Sequence, residues 1–272
     1  MQIHFLGTAA SEGIPNPYCS CHLCDQTRAS GGKDVRTRSS VIIDEVMQID
    51  ISPEFSYQLM RDGTDARKIT NLLFTHTHLD HFNISELYSR MAGFSHHITH
   101  PLNVYGNDIA ISNCAQFLQG YSRERFHLQP VIPFVTIESQ GYRITPLLAN
   151  HAVWEFCYLY FIEKDGKSFF YGHDSGWYPD LTWEWLAQKK IDLIVLECTT
   201  GFNKNERSNN HMSIETILAV QENMMKIGCY DNDSQIILSH ISHNIEMNHH
   251  ELENLMRSHR ISIAYDGLKI TI

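Results

Sequence analysis

The 272-residue chain has no apolar run approaching the roughly 18 residues that a membrane-spanning helix needs, so no transmembrane helix is expected. Positive charge is scarce: 21 Lys and Arg stand against 31 Asp and Glu, a formal net charge of −10. That excludes the broad basic face of a general nucleic-acid binder and leaves room only for a local basic pocket. The opening stretch MQIHFLGTAASEG lacks a basic region followed by a long apolar segment. No signal peptide is expected, and the cytoplasm is the expected location. Internal repeats, low-complexity tracts and linkers are also missing.

At 43% apolar and 19% charged residues, the composition is that of an ordinary globular protein. The length suits one large domain with a sizeable core. Seven cysteines is an odd number. Three of them crowd together as Cys19, Cys21 and Cys24, which suits metal binding better than disulfides in a reducing compartment. With 17 histidines, only spacing and neighbours can separate ligands from the rest.

Short apolar runs bounded by turn residues predict strands at Ile3–Leu6, Ser40–Ile43, Met47–Ile51, Asn71–Thr75, Leu102–Tyr105 and Tyr142–Leu148. Further strands are expected at Cys157–Ile162, Ser168–Tyr171, Leu193–Leu196, Ile236–Ser239 and Ile261–Tyr265. Helices are expected at Pro53–Arg61, with Ser52 as N-cap, and at Leu181–Gln188 and His249–Arg257. A long helix opens at Ser213 and presents Ile214, Ile217, Leu218 and Met225 on one face. Strands mixed with helices over the whole length imply a layered α/β fold.

The densest chemical signal is Thr75-His76-Thr77-His78-Leu79-Asp80-His81, directly after an apolar strand. In extended backbone, residues two apart point the same way, so His76 and His78 can grip one ion. Asp80 and His81, where the chain turns, can aim at a second. Imidazole and carboxylate suit zinc, iron or manganese. His151, Asp174 and His240 each follow another apolar run. Ligands at strand ends converge on one edge of a sheet, the usual address of α/β active sites.

Cys19-Ser20-Cys21-His22-Leu23-Cys24 puts three thiols within six residues, one ligand short of a closed tetrahedral zinc site. His243, three residues after His240, is the favoured fourth ligand. His22 competes on proximity.

Taken together and in this order, these residues resemble the metallo-β-lactamase superfamily over nearly the whole chain. The resemblance implies a single domain, residues 1–272, folded as a four-layer αβ/βα sandwich. It implies a dinuclear site in which His76, His78 and His151 hold one metal, Asp80, His81 and His240 the other, and Asp174 bridges them. Asp50 matches the aspartate that orients the ligand loop. The cysteine triplet, at about residues 19–24, and the late His240-Ile241-Ser242-His243 pair narrow the resemblance to PhnP-like phosphodiesterases. That branch implies a structural zinc on Cys19, Cys21, Cys24 and His243. It also implies a general acid at His211, just before the long helix, acting together with the ligand Asp80.

The implied substrate is a small or cyclic phosphodiester. The implied cofactors are two divalent ions (Zn, Mn or Fe) and one structural zinc. No membrane or nucleic-acid partner is expected, and a homodimer is left open. Arg36, Arg38, Lys204 and Arg207 are candidate phosphate contacts, and Trp177 and Tyr178 candidate surfaces for a sugar or base. Three rivals share the fold: a tRNase Z-like endonuclease, a thioester or lactam hydrolase, and a non-catalytic carrier of cofactor biosynthesis. The chain departs from the pattern at Ile51-Ser52-Pro53-Glu54-Phe55, at His173 before Asp174, and in an insertion around Phe94–Pro101 that contains His96, His97 and His100.

Overall fold

The computed structural model describes residues 1–202 and 210–272. In chain order the first strands are β1 (Gln2–Gly7), β2 (Ser40–Ile43), β3 (Met47–Ile49), β4 (Asn71–Leu73), β5 (Leu102–Gly106) and β6 (Phe126–Pro130). They are followed by β7 (Ile137–Ser139), β8 (Tyr142–Leu148), β9 (Tyr158–Lys164), β10 (Lys167–Gly172), β11 (Leu193–Cys198), β12 (Gln235–Ile241), β13 (Ile261–Ile263) and β14 (Lys269–Thr271). The helices are α1 (His22–Ser30), α2 (Phe55–Asp62), α3 (Asp108–Phe117), α4 (Asp180–Leu186), α5 (Ile214–Lys226) and α6 (His249–Arg257).

Two seven-stranded sheets result, in the orders β14-β1-β2-β3-β4-β5-β6 and β13-β12-β11-β10-β9-β8-β7. Strand alternation splits the apolar residues cleanly. Ile3, Phe5, Val41, Ile43, Met47 and Ile49 face Tyr160, Phe169, Tyr171, Leu193 and Val195 between the sheets. Their neighbours Leu6, Ile42, Leu72 and Val104 face outwards under Ala110, Ile111 and Cys114 of α3. Phe170, Ile194, Leu196, Ile236 and Leu238 face outwards under α4, α5 and α6. This is the expected sandwich of helix, sheet, sheet and helix. No helix among the described residues is long and apolar enough to cross a membrane.

The long helix α5 opens at Ser213 as expected, and Ser213 caps it by accepting the Thr216 backbone N–H through its side chain. Its buried stripe is Ile214, Ile217, Val220 and Met224; Met225 is exposed instead. Helix α2 starts two residues later than expected, at Phe55 after Glu54, and the Ser52 side chain makes no cap. At Gly7 an added Cβ would lie 1.9 Å from the Arg38 carbonyl oxygen, so the close approach of the chain after β1 to the start of β2 requires glycine.

Behind the first sheet, Arg36 is buried. It donates to Thr8 Oγ1 (2.8 Å), the Ala264 carbonyl (2.6 Å) and His249 Nδ1 (3.0 Å). An imidazole that accepts from a guanidinium must be neutral there. Burial and the neighbouring Arg36 push the His249 pKa down to about 4. The unfolded ring takes up its proton near its ordinary value of 6.5, so between these values the unfolded chain binds the extra proton. This contribution to stability is complete above the unfolded value and is lost as the pH falls towards 4. His249→Asn keeps an acceptor for Arg36 but removes the titration. Thermal melts at pH 7.5 and 5 should therefore show a smaller loss of Tm on acidification in the variant. An equal loss in both proteins would refute this account.

Candidate metal centre

The strand β4 ends at Leu73, and residues 74–78 continue extended beyond it, pinned from the opposite sheet. Tyr158 donates its backbone N–H to Thr75 O (2.9 Å), and Tyr160 donates its hydroxyl to Phe74 O (2.8 Å). His76 and His78 project from this stretch. The chain then turns as the His81 and Phe82 amides both bond His78 O, which swings Asp80 and His81 towards the same place. His151 lies on the loop after β8. Asn150, just before it, is tied to the next loop through Ser175 Oγ (2.9 Å), so His151 and Asp174 are fixed relative to each other. His240 is the extra residue of a bulge: Ser239 pairs with Glu197 and Ile241 with Cys198. The bulge re-aims the ring out of the strand register.

These elements assemble two groups of ligand atoms: His76, His78, His151 and Asp174, and Asp80, His81, Asp174 and His240. Within each group the atoms lie within 4.8 Å of one another. Asp174 belongs to both, which matches the implied division of ligands. Its Oδ2 is 2.9 Å from His81 Nε2 and 3.4 Å from His76 Nε2, and its Oδ1 is 2.9 Å from His240 Nε2. Asp80 Oδ2 lies 3.1 Å from His81 Nε2 and 3.5 Å from His240 Nε2.

Hydrogen bonds behind the rings fix what each nitrogen offers. Thr75 donates its hydroxyl proton to Asp50 Oδ2 (2.8 Å) and so accepts from His76 Nδ1 (2.9 Å). His151 Nδ1 donates to Asn210 O (3.0 Å) and His81 Nδ1 to Asp50 Oδ2 (2.7 Å). Thr199 donates to His240 O (3.2 Å) and accepts from His240 Nδ1 (2.9 Å). Four rings thereby aim Nε2 at one another and at two carboxylates. His81 and His240 approach to 3.3 Å through these nitrogens, while buried His76 Nε2 has no hydrogen-bond partner among the described residues. Such a set of donors needs positive charge at its centre.

Titration agrees. Burial opposes charge on Asp174 and Asp80, yet the facing His81 and His240 hold both carboxyls below their ordinary values. Burial likewise opposes charge on His240, yet Asp174 and Asp80 raise it to about 10. Protons occupy the role that cations take when metals bind and displace them. The residues fit a dinuclear divalent-metal site.

At the edge of this cluster His211 Nδ1 lies 3.0 Å from the Glu197 carboxylate, with its ring 4.8 Å from that of His151 and stacked on His240 at 5.8 Å. Burial favours the neutral ring, but Glu197 outweighs it and raises the His211 pKa. Glu197 is fully buried and also accepts the Ser175 N–H (2.8 Å). Sequence reasoning missed it. The available signal was a lone carboxylate at the end of the apolar run Leu193–Leu196. Glu197, His211 and His240 also form a third group of close ligand atoms. The Nδ1 contact to Glu197 makes His211 the outer half of a carboxylate–imidazole pair.

Cys19, Cys21, Cys24 and His243 come together as a separate group, with Cys21 Sγ 3.5 Å from His243 Nδ1. The backbone N–H groups of Asn16 and Cys21 point at Cys24 and Cys19 sulfurs, each at 3.4 Å. Burial opposes ionisation of Cys21, but the bond to His243 pulls its pKa down to about 6. All seven cysteines are free, and His22 is exposed, so His243 is the fourth member and His22 is not. The donor set is that of a closed structural zinc site.

Other expectations are corrected. Arg36 is buried on His249 and Thr8, which takes it away from any phosphate, and Arg38 pairs with Glu54. Lys204 and Arg207 lie outside the described residues. Tyr178 is buried and donates to Gly172 O (2.7 Å), and the Trp177 ring packs on Trp183 at 5.0 Å. Both serve the core under the second sheet. His96 and His97 are exposed, and His100 lies 3.3 Å from Ile69 O; none joins a ligand group among the described residues. His173 is buried against Tyr171, with ring centroids 4.0 Å apart.

A family model described as the beta-lactamase superfamily domain matches residues 46–257. The chain belongs to the metallo-β-lactamase superfamily. Among solved structures, a diphosphatase of the PhnP family is 24% identical with a TM-score of 0.75, covering 100% of this chain and 97% of its own. Zinc-bound PqqB from Methylobacterium extorquens is 17% identical with a TM-score of 0.75 over 100% of both chains. The short form of human tRNase Z is 16% identical with a TM-score of 0.69, covering 100% of this chain and 99% of its own. At these identities the likeness is one of fold. An octanoyltransferase of Porphyromonas gingivalis is 35% identical over 85 residues. The chain spans only 16% of that curated relative's length, and 30% of this chain is matched.

The Asp50 carboxylate holds His81 and Thr75 at once, so it orients ligands without being one. Asp50→Asn is expected to weaken metal binding at the His/Asp cluster about 10–100-fold while leaving the cysteine site loaded. Chelator competition with elemental analysis checks both, and unchanged affinity at the His/Asp cluster would count against the assignment.

Proposed function

We propose that this protein is a metal-dependent phosphodiesterase acting on a small or cyclic phosphodiester. One observation carries the reading. The carboxylate–imidazole pair Glu197–His211 stands against a complete two-metal donor set, within stacking distance of His151 and His240. Divalent cations held by His76, His78, His151, Asp80, His81, His240 and Asp174 would supply a strong oxygen nucleophile near neutral pH and offset phosphoryl charge. The chain's own residues do the rest. Asp174 and Asp80 gather the charge, Asp50 and Thr75 fix the ring orientations, and the buried walls restrict water.

His211 is the proton donor in this reading. Glu197 binds its Nδ1 and raises its pKa, leaving Nε2 to deliver a proton to the departing alkoxide. An alkoxide needs that proton and a thiolate does not, which favours a phosphodiester over a thioester as the substrate of the pair. The net charge of −10 favours a small substrate over a long nucleic acid. The fold likeness to tRNase Z and PqqB does not choose between enzyme and carrier; the complete ligand set and His211 favour the enzyme. Seven free cysteines suit a reducing compartment such as the cytoplasm.

The test uses the metal-loaded protein on phosphodiesters that differ only in leaving group. His211→Ala should lower kcat about 10²–10⁴-fold for alkyl leaving groups and far less for p-nitrophenolate, which departs without a proton. Metal content should stay unchanged. Equal losses for both leaving groups would remove His211 as the acid. Turnover of thioesters or pre-tRNA with none of small phosphodiesters would overturn the function.

A further inference from the structure

The rim of the metal centre carries apolar side chains that no part of the chemistry above uses. Trp154 is 63% exposed, Val153 95% and Leu79 83%. Exposed singly, such residues need no explanation. Trp154 differs, because its ring sits 5.6 Å from that of His78, a member of the metal-ligand cluster. It also lines a cleft of about 240 Å³ together with Asp108, Ile109, Val153, Glu155 and Phe156.

The segment is held in place from beneath. Glu155 accepts from the Thr77 N–H (3.1 Å), the Thr77 hydroxyl (2.7 Å) and Asn107 Nδ2 (2.7 Å). Asn107 is buried, donates also to Phe156 O (2.8 Å), and caps α3 by accepting the Ala110 N–H (2.7 Å). Polar anchors on the two residues that follow position 154 therefore hold the backbone that carries an indole 63% exposed. The same Thr77 lies between ligands His76 and His78, so the indole is registered to the metal centre through one residue.

We infer that Trp154 is a specificity-determining residue, the stacking platform for a flat aromatic ring carried by one ester group of the substrate. This rests on the phosphodiesterase reading. With phosphate at the His/Asp cluster, the ester group on the His78 side enters the cleft beside the indole. Among the described residues the lining holds Asp108 and Glu155 and no Lys or Arg, so this part of the cleft disfavours a second phosphate and suits an uncharged or amine-bearing ring. A nucleoside has both parts: a sugar that spans from the phosphate and a base that stacks. Among the described residues this platform takes the role expected of Trp177 and Tyr178.

Two substrates separate the ring from the reaction: adenosine 2′,3′-cyclic phosphate, and the 2,3-cyclic phosphate of methyl riboside, which lacks the base. Base–aromatic stacking predicts that Trp154→Ala raises KM for the adenosine substrate about tenfold more than for the baseless one, with little change in kcat. Trp154→Phe should recover most of the difference. Equal changes for both substrates, or none, would overturn the platform. If neither substrate is turned over, the phosphodiesterase reading is what fails. Calorimetric binding of adenosine 2′-phosphate against ribose 5-phosphate then decides Trp154 by itself. Selective weakening of the adenosine ligand in Trp154→Ala upholds the platform, and equal binding by both proteins removes it.

Discussion

The Asp174 carboxylate, buried at the meeting point of imidazoles from both sheets, is the constraint on which the rest of the molecule turns. A buried negative charge is tolerable only when opposite charge faces it closely. Here that charge must come through His76, His81, His151 and His240. The first two follow β4 in one sheet, and the others follow β8 or sit in β12 of the opposite sheet. Both sheets must therefore end at one level. The backbone bears the strain of this convergence, since Asp50, Asp174 and His240 all adopt left-handed conformations that non-glycine residues visit rarely.

Strand β12 performs two duties at its end. Its bulge turns His240 into the His/Asp cluster, and three residues later His243 reaches the cysteines that precede and enter α1. Between these histidines the Ile241 amide bonds Thr8 O (2.9 Å), and Ile241 O accepts from Ala10 (3.0 Å). The N-terminal segment, the cysteine loop and the metal centre are thus stitched at one point. The placement of His243 follows from that of His240.

Much of this was legible beforehand because the ligands obey one pattern, an apolar strand that ends in a ligand-type residue. Helix α3 escaped notice although Ala110, Ile111 and Cys114 are buried; most other missed elements share a physical cause. Strands β6, β7 and β14 are edge strands, half-wet and short, so hydrophobic alternation is weak there. Helix α1 is exposed along most of its length and is anchored mainly through Leu23, Cys24 and Thr27. Glu197 escaped because its importance depends on His211, fourteen residues away along the chain. Arg36 misled because a cation in a polar stretch reads as solvated, whereas its partners Ala264 and His249 come from the far end of the chain.

The tip at Val153–Phe156 hangs from Asn107 and Thr77, and neither of these belongs to the metal-ligand groups. On the proposed function, choice of substrate and cleavage would therefore rest on different residues. Substitutions at this tip would then alter the doorway while leaving the bonds that set the His/Asp cluster in place.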